Sequence, residues 1–317
     1  MTGTGPGVGR IAPRWRTDAA VTRAATPVRP GVSDVVTLLA VAALWGASFL
    51  FIRVAVPVLR PVALIEARVL LAGLALLVVV SWLRRAPAWR RDWQGYLLLG
   101  ALSAAAPFTL IAAAELRLTA SLAAILNATT PLFALLLGAA RLREPLTARR
   151  LAGVLLGVAG VAVLVGLGPL HVDVPFLAAV AASLAAALLY AAGGVYAKTR
   201  FTGTAPITLA TGQQLAAAAL LLLPTLVLPP AQAPGPGVGA AVLALALPCT
   251  ALGFGLFYRL VARLGPTGAL SVTFLVPVFG LLWGALFLQE QVTVSTGAGL
   301  LIVLASVALV TDLAPTR

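Results

Sequence analysis

Between Asp34 and Asp312 the chain is a succession of ten apolar runs, each close to the ~20 residues that a helix needs to cross the hydrocarbon of a bilayer. They read as spans at 35–57, 61–83, 94–114, 118–140, 150–168, 174–197, 206–228, 238–259, 266–288 and 295–312. The links between them are too short to hold a sizeable soluble domain. Of the 317 residues, 61% are hydrophobic and only 10% charged, against roughly 25% charged in a soluble domain. Ala, Gly, Leu and Val fill the runs without the alternation of a membrane β-barrel. Lipid demands that each backbone group be satisfied within its own segment, which makes the runs helices. The expected fold is an all-α polytopic membrane protein of about ten transmembrane helices. Residues 1–33, rich in Gly, Pro, Thr and Arg, lack the apolar core of a signal peptide. They read as a disordered basic cytoplasmic tail.

The net charge of +13 is a topology signal. With the N-terminus inside, 18 of the 22 basic residues fall on inner segments, while the outer links hold only Arg60 and Arg117. Lys and Arg favour cytoplasmic loops, so both termini are expected to be cytoplasmic and the chain multi-pass in a cell (inner) membrane. The basic residues are scattered between apolar runs and form no aromatic-laced patch, which excludes a nucleic-acid partner. One cysteine, Cys249, and one histidine, His171, exclude an internal disulfide and a Cys/His metal site.

The two halves resemble each other. Leu44–Arg53 aligns with Leu189–Lys198 at an offset of 145, each with an aromatic eight residues before a cation. At an offset of 146, Arg117 pairs with Arg263, Pro131 with Pro277, Phe133 with Phe279, Glu144 with Glu290, Thr147 with Thr293 and Gly153 with Gly299. The repeats are expected over 34–168 and 174–313. Five spans per copy is an odd number, so the second copy lies inverted relative to the first, a recurring construction of secondary transporters.

At these residues the chain resembles the drug/metabolite transporter superfamily, EamA type. Leu44-Trp45-Gly46-Ala47-Ser48-Phe49 is similar to an early Trp-Gly motif of that family. The stretch from Thr119-Ala120-Ser121 through Pro131-Leu132-Phe133 to Leu142-Arg143-Glu144-Pro145-Leu146-Thr147 is similar to its fourth-helix block. Pro277-Val278-Phe279 and Leu288-Gln289-Glu290 repeat that block, with 13 residues from Pro to Glu in both copies. The resemblance covers about residues 35–312 and implies ten helices in two inverted repeats around a central substrate cavity. Arg68 stands where the family often has an arginine, and Gln213 is its repeat partner. The solute is not implied.

Charged side chains inside a span cost about 3 kcal/mol and face protein or water. Glu66 and Arg68 lie about 9 and 12 Å into the second helix, at 1.5 Å per residue. Glu66 is the coupling candidate and Arg68 an anion contact; the alternative is a structural pair or snorkelling. Arg53 and Lys198 are gate candidates, or snorkelling interface residues. Asn127, Thr130 and Pro131 in the fourth helix, and Ser271, Thr273 and Pro277 in the ninth, mark the expected cavity wall, because proline frees backbone carbonyls. Trp45, Tyr190 and Tyr258 add aromatic surface there, or anchor the interface. Glu144 and Glu290 suit the N-terminus of the helix that closes each repeat. Glu115 reads as a solvated helix end. Gly153-xxx-Gly157 permits close helix contact, within the bundle or across a homodimer.

No Walker-type nucleotide loop, His-Glu-x-x-His or intramembrane acid pair is present, so neither ATP use nor catalysis is expected. The expected function is a secondary active transporter of a small organic metabolite, an exporter or exchanger working by alternating access, without cofactor or metal. A non-coupled channel or membrane scaffold is the alternative.

Overall fold

The computed structural model describes residues 31–85, 87–143, 145–166 and 172–311. The expected tail over 1–33 lies outside them except for its last three residues, as do Glu144, His171 and the end of the chain from residue 312. Ten apolar helices follow in order: α1 Val32–Leu59, α2 Pro61–Trp82, α3 Arg91–Ala114, α4 Ala120–Arg141, α5 Ala148–Gly166, α6 Val174–Arg200, α7 Pro206–Val227, α8 Pro236–Gly265, α9 Val272–Leu288 and α10 Val294–Val310. The first eight are long and apolar enough to cross a membrane, and α9 and α10 are shorter apolar helices of 17 residues. Large side chains stand outward along them, such as Val78, Leu223 and Leu301, each about two-thirds exposed or more. Water does not tolerate such a surface and lipid does. The chain is a multi-pass membrane protein.

Helix starts are written locally. Thr119, Asp173 and Thr293 cap α4, α6 and α10, each accepting from a backbone N–H three residues on, at 3.1, 2.8 and 3.2 Å. Proline opens α2, α7 and α8, where its missing N–H costs nothing. The ends of α4 and α9 share one device. Arg143 and Gln289 adopt left-handed φ values of 56° and 55°, and their N–H groups turn back to the carbonyls of Gly138 and Gly284. These positions are repeat partners at the offset of 146.

The repeat extends to packing. Exchanging α1 with α6, α2 with α7, α3 with α8, α4 with α9 and α5 with α10 maps the principal contacts onto one another. Thus α1 lies on α9 as α6 lies on α4, and α1 lies on α8 as α6 lies on α3, while the pairs α2–α7 and α5–α10 map onto themselves. Links between ends sort into two groups. At one end Arg263 pairs with Asp34 at 2.6 Å, Arg200 with Asp92 at 3.0 Å, and Thr208 donates to the carbonyl of Arg85. At the other, Ala231 N–H meets the carbonyl of Val58, and Glu290 reaches Ala120 and Ser121. Consecutive helices therefore alternate between a basic end and an opposite end.

Glycines set the close crossings. A Cβ on Gly46 would stand 2.7 Å from that of Phe279, so α1 and α9 touch almost backbone to backbone. Gly153 faces Val310 at 2.8 Å from its Cβ position and Gly157 faces Ser306 at 2.7 Å. Gly157 also faces Leu132 on α4, more closely still, so the Gly-xxx-Gly face of α5 is spent on α10 and α4, within one chain.

Four of the ten helices are irregular. Both α3 and α8 carry a π-helical segment, at Ala101–Ala105 and Leu247–Leu252. In α4 the helix stops at Asn127, turns through Ala128 and Thr129, and resumes at Thr130. The ninth span, expected over 266–288, is helical over 266–270, turns at Ser271 and resumes as α9. Gly265, at φ 74°, makes the bend that precedes it, a conformation glycine takes without strain.

Candidate functional site

The π-helical segments gather polar side chains near the middle of the bundle. A π turn widens the helix and is frequent at functional sites. Arg68 on α2 donates its Nε to Thr250 in the α8 segment at 3.0 Å, and its guanidinium lies 3.7 Å above the ring of Phe108 on α3. Thr250 in turn donates to the carbonyl of Leu245 at 2.7 Å. Ser48 on α1 donates to the carbonyl of Leu44 at 3.5 Å, and Cys249, Tyr190 and Glu115 lie within the electrostatic reach of Arg68. Arg68 is buried. Among the described residues its two terminal amino groups have no hydrogen-bond or ion-pair partner. A buried cation held by one neutral hydroxyl and an aromatic face has the chemistry to accept an anion.

Gln213, the repeat partner of Arg68, is placed by the same logic. Its amide donates to the carbonyl of Ser103 in the α3 segment at 3.1 Å. The aromatic residues are exchanged likewise. Trp45 on α1 meets Phe254 on α8 at 5.9 Å between ring centroids, and Tyr190 on α6 meets Phe108 on α3 at 5.9 Å. Trp45 also meets Phe257 at 5.1 Å, and Tyr258 stacks on Phe254 at 5.9 Å. The two arrangements are equivalent under exchange of the copies, one holding a charged side chain and the other a neutral one.

The helix breaks use their polar residues differently from expectation. Thr129 and Thr130 donate to the carbonyls of Leu126 and Asn127, at 2.6 and 2.7 Å, so these hydroxyls satisfy the freed carbonyls of α4. The side-chain oxygen of Asn127 is buried with no partner among the described residues. Pro131 begins the second half of α4. Ser271 sits at the break before α9, Thr273 is half-buried beyond it, and Pro277 is buried within α9.

Glu66 is buried and its Oε2 has no partner among the described residues. Arg53 donates to the backbone carbonyl of Glu115. Lys198 is exposed near the basic end of α6. Two readings of acids are corrected. Glu115 is fully buried, not solvated, because Arg53 and the second repeat close over the turn after α3. Glu290 does serve a helix N-terminus, but that of α4: it accepts from Ala120 N at 2.7 Å, from Ser121 N at 3.0 Å and from the Ser121 hydroxyl. The left-handed turn at Gln289 aims it across the repeat boundary.

Thr250, Ser103, Ser48, Cys249, Phe108 and Phe254 escaped the reading of spans. The offset of 146 pairs Phe108 with Phe254 and would have flagged both; nothing in the sequence announces a π turn at Thr250. Gln214 also escaped, fully buried with neither end of its amide partnered among the described residues. A separate crevice of about 570 Å³ lies between α1, α8 and α9, lined by Ala47, Leu50, Phe51, Ala240, Ala244 and Trp283 among others. Its lining carries no charged side chain, so it suits apolar chains and not an anionic solute.

The sequence profile of the EamA-like transporter family matches residues 33–166 and again residues 177–312. Protein PecM of Dickeya dadantii (strain 3937) is 27% identical over 280 residues, covering 85% of this chain and 89% of its own. An uncharacterized transporter of Archaeoglobus fulgidus is 26% identical over 267 residues, 84% of this chain and 94% of its own. One crystal structure aligns with a TM-score of 0.63 at 22% identity, over 89% of this chain and 97% of the other, a likeness of fold.

Proposed function

The chain belongs to the EamA-like transporter family, and from that premise we propose that it is a secondary active transporter of a small organic metabolite. It is not an enzyme in this reading, and it works by alternating access of two antiparallel five-helix repeats, 34–168 and 174–313. The observation that carries the reading is Arg68: a buried guanidinium, oriented by Thr250 and Phe108, whose terminal amino groups have no partner among the described residues. It would take a carboxylate or similar anionic group. The rings of Phe108, Tyr190, Trp45 and Phe254 would take an apolar part of the same solute, and Gln213 and Asn127 its polar remainder. Amino acids and drug-like organic acids have that chemistry. The basic end is cytoplasmic by the positive-inside rule, in an inner membrane, and the direction is export or exchange. A homodimer would have to use a face other than the α5–α10 seam.

Glu66 is the coupling group in this reading, because a buried carboxyl oxygen without a partner is stable as the neutral acid and not as the anion. Purified protein screened by thermal shift against organic acids supplies the solute, and proteoliposomes then test transport. Saturable uptake with counterflow is expected. Glu66→Gln is expected to abolish pH-gradient-driven flux while exchange persists. Leak flux without saturation or counterflow would mark a channel instead.

A further inference from the structure

The turn between α3 and α4 buries a carboxyl group that the solute site does not use. Glu115 follows the last residue of α3 and has no exposed surface, and neither of its carboxyl oxygens has a partner among the described residues. An ionised carboxylate so placed would be far costlier than the neutral acid. Two clamps meet at this turn. Arg53 on α1 donates to the carbonyl of Glu115 and so holds the end of α3. Glu290, from the second repeat, accepts three hydrogen bonds from Ala120 and Ser121 and so holds the start of α4. The charged groups that act on Glu115 are Arg53 on α1, Glu290 beyond α9 and Arg68 on α2. Arg117, two residues on, is exposed. Burial pushes the Glu115 carboxyl well above the ordinary carboxylate range; Arg53 and Arg68 pull it down and Glu290 pushes it further up.

We propose that Glu115 is a proton-binding site whose charge state closes and opens the end of the bundle opposite the basic one. Protonated, Glu115 leaves both clamps in place. When its O–H bond breaks and the proton passes to water, the new carboxylate draws the Arg53 guanidinium off the backbone carbonyl. It also repels Glu290 from the N-terminus of α4. Both clamps then release the α3–α4 turn, and the path toward Arg68 opens on that side. Rebinding one proton restores the closed end. The inference rests on the two-ended access proposed above, but its test needs no solute.

Infrared spectra of the purified chain read the proton directly. A protonated-carboxyl band at neutral pH is expected to vanish in Glu115→Gln, in addition to any share that Glu66→Gln removes. Cys249, the only cysteine and 1% exposed, reads the opening through its labelling by a hydrophilic maleimide. Dividing the wild-type rate by the Glu115→Gln rate at each pH removes the thiol's own titration. That ratio is expected to stay near one at low pH and to rise severalfold as the band is lost. If Glu115→Gln cannot be purified folded, Glu290→Gln serves. Removing a like charge favours the ionised form of Glu115, so the band should be lost at lower pH. A band indifferent to these variants, or a labelling ratio constant with pH, overturns the proposal. Constant labelling beside saturable counterflow would remove the gate alone, whereas absent counterflow with pH-dependent labelling would remove the transport reading alone.

Discussion

At the scale of single residues, a few polar side chains in an apolar bundle are each fixed by a specific partner. Arg68 is the sharpest case. Its Nε is spent on Thr250 and its face on Phe108, so in the proposed site the fork is free to meet an anion. Lysine keeps the charge but has neither the planar face nor a fixed Nε. Arg68→Lys is therefore expected to fold and to weaken the solute by about tenfold or more, which is ~1.4 kcal/mol; concentration dependence of counterflow measures it. Glu290 illustrates the opposite role. Its three hydrogen bonds to the start of α4 are structural, and a carboxylate at a helix N-terminus contributes about 0.3–2 kcal/mol. Span-by-span reading found both residues but assigned Glu290 to the wrong helix, because a cap across the repeat boundary leaves no local trace. The burial of Glu115 leaves no local trace for the same reason: its turn packs against Arg53, 62 positions away in sequence, and against the second repeat.

At the scale of elements, irregular helices build the site and regular ones hold it. Apolar length made all ten helices legible, and boundaries moved by only a few residues, because lipid fixes the span and Thr, Asp and Pro write the starts. The breaks beside Pro131 and ahead of Pro277 were legible from proline and small polar residues. The π segments were not, because one extra residue per turn leaves hydropathy unchanged. Cohesion between α5 and α10 depends on small residues that let the helices meet. A side chain at Gly153 would collide with Val310, at 2.8 Å from the Cβ position, and overpacking costs about 1–3 kcal/mol. Gly153→Leu is expected to lower the unfolding temperature in detergent, whereas Gly194→Ala, which points into open space, is expected not to. Equal losses at both positions would remove the seam from the account of stability.

At the scale of the molecule, the same five-helix unit is used twice, and exchange of the copies preserves which helix lies on which. The copies are not identical in chemistry: the position of Arg68 in one copy is held by Gln213 in the other, a charged side chain against a neutral one. In the proposed mechanism such a pair offers two related arrangements with the solute held between them. The repeat in the sequence made the duplication readable, and the sorting of end-to-end links into two groups gives it a geometric counterpart. The antiparallel relation of the copies is most directly tested by single cysteines in a Cys249→Ala background, labelled with a membrane-impermeant reagent from either face of sealed vesicles. Cysteines replacing Arg60, Asp173 and Gln289 should react from one face, and those replacing Arg85, Arg143 and Arg200 from the other. Reaction of the Asp173 and Gln289 positions from the same face as those of Arg85 and Arg143 would contradict the inverted duplication, and with it the alternating-access reading.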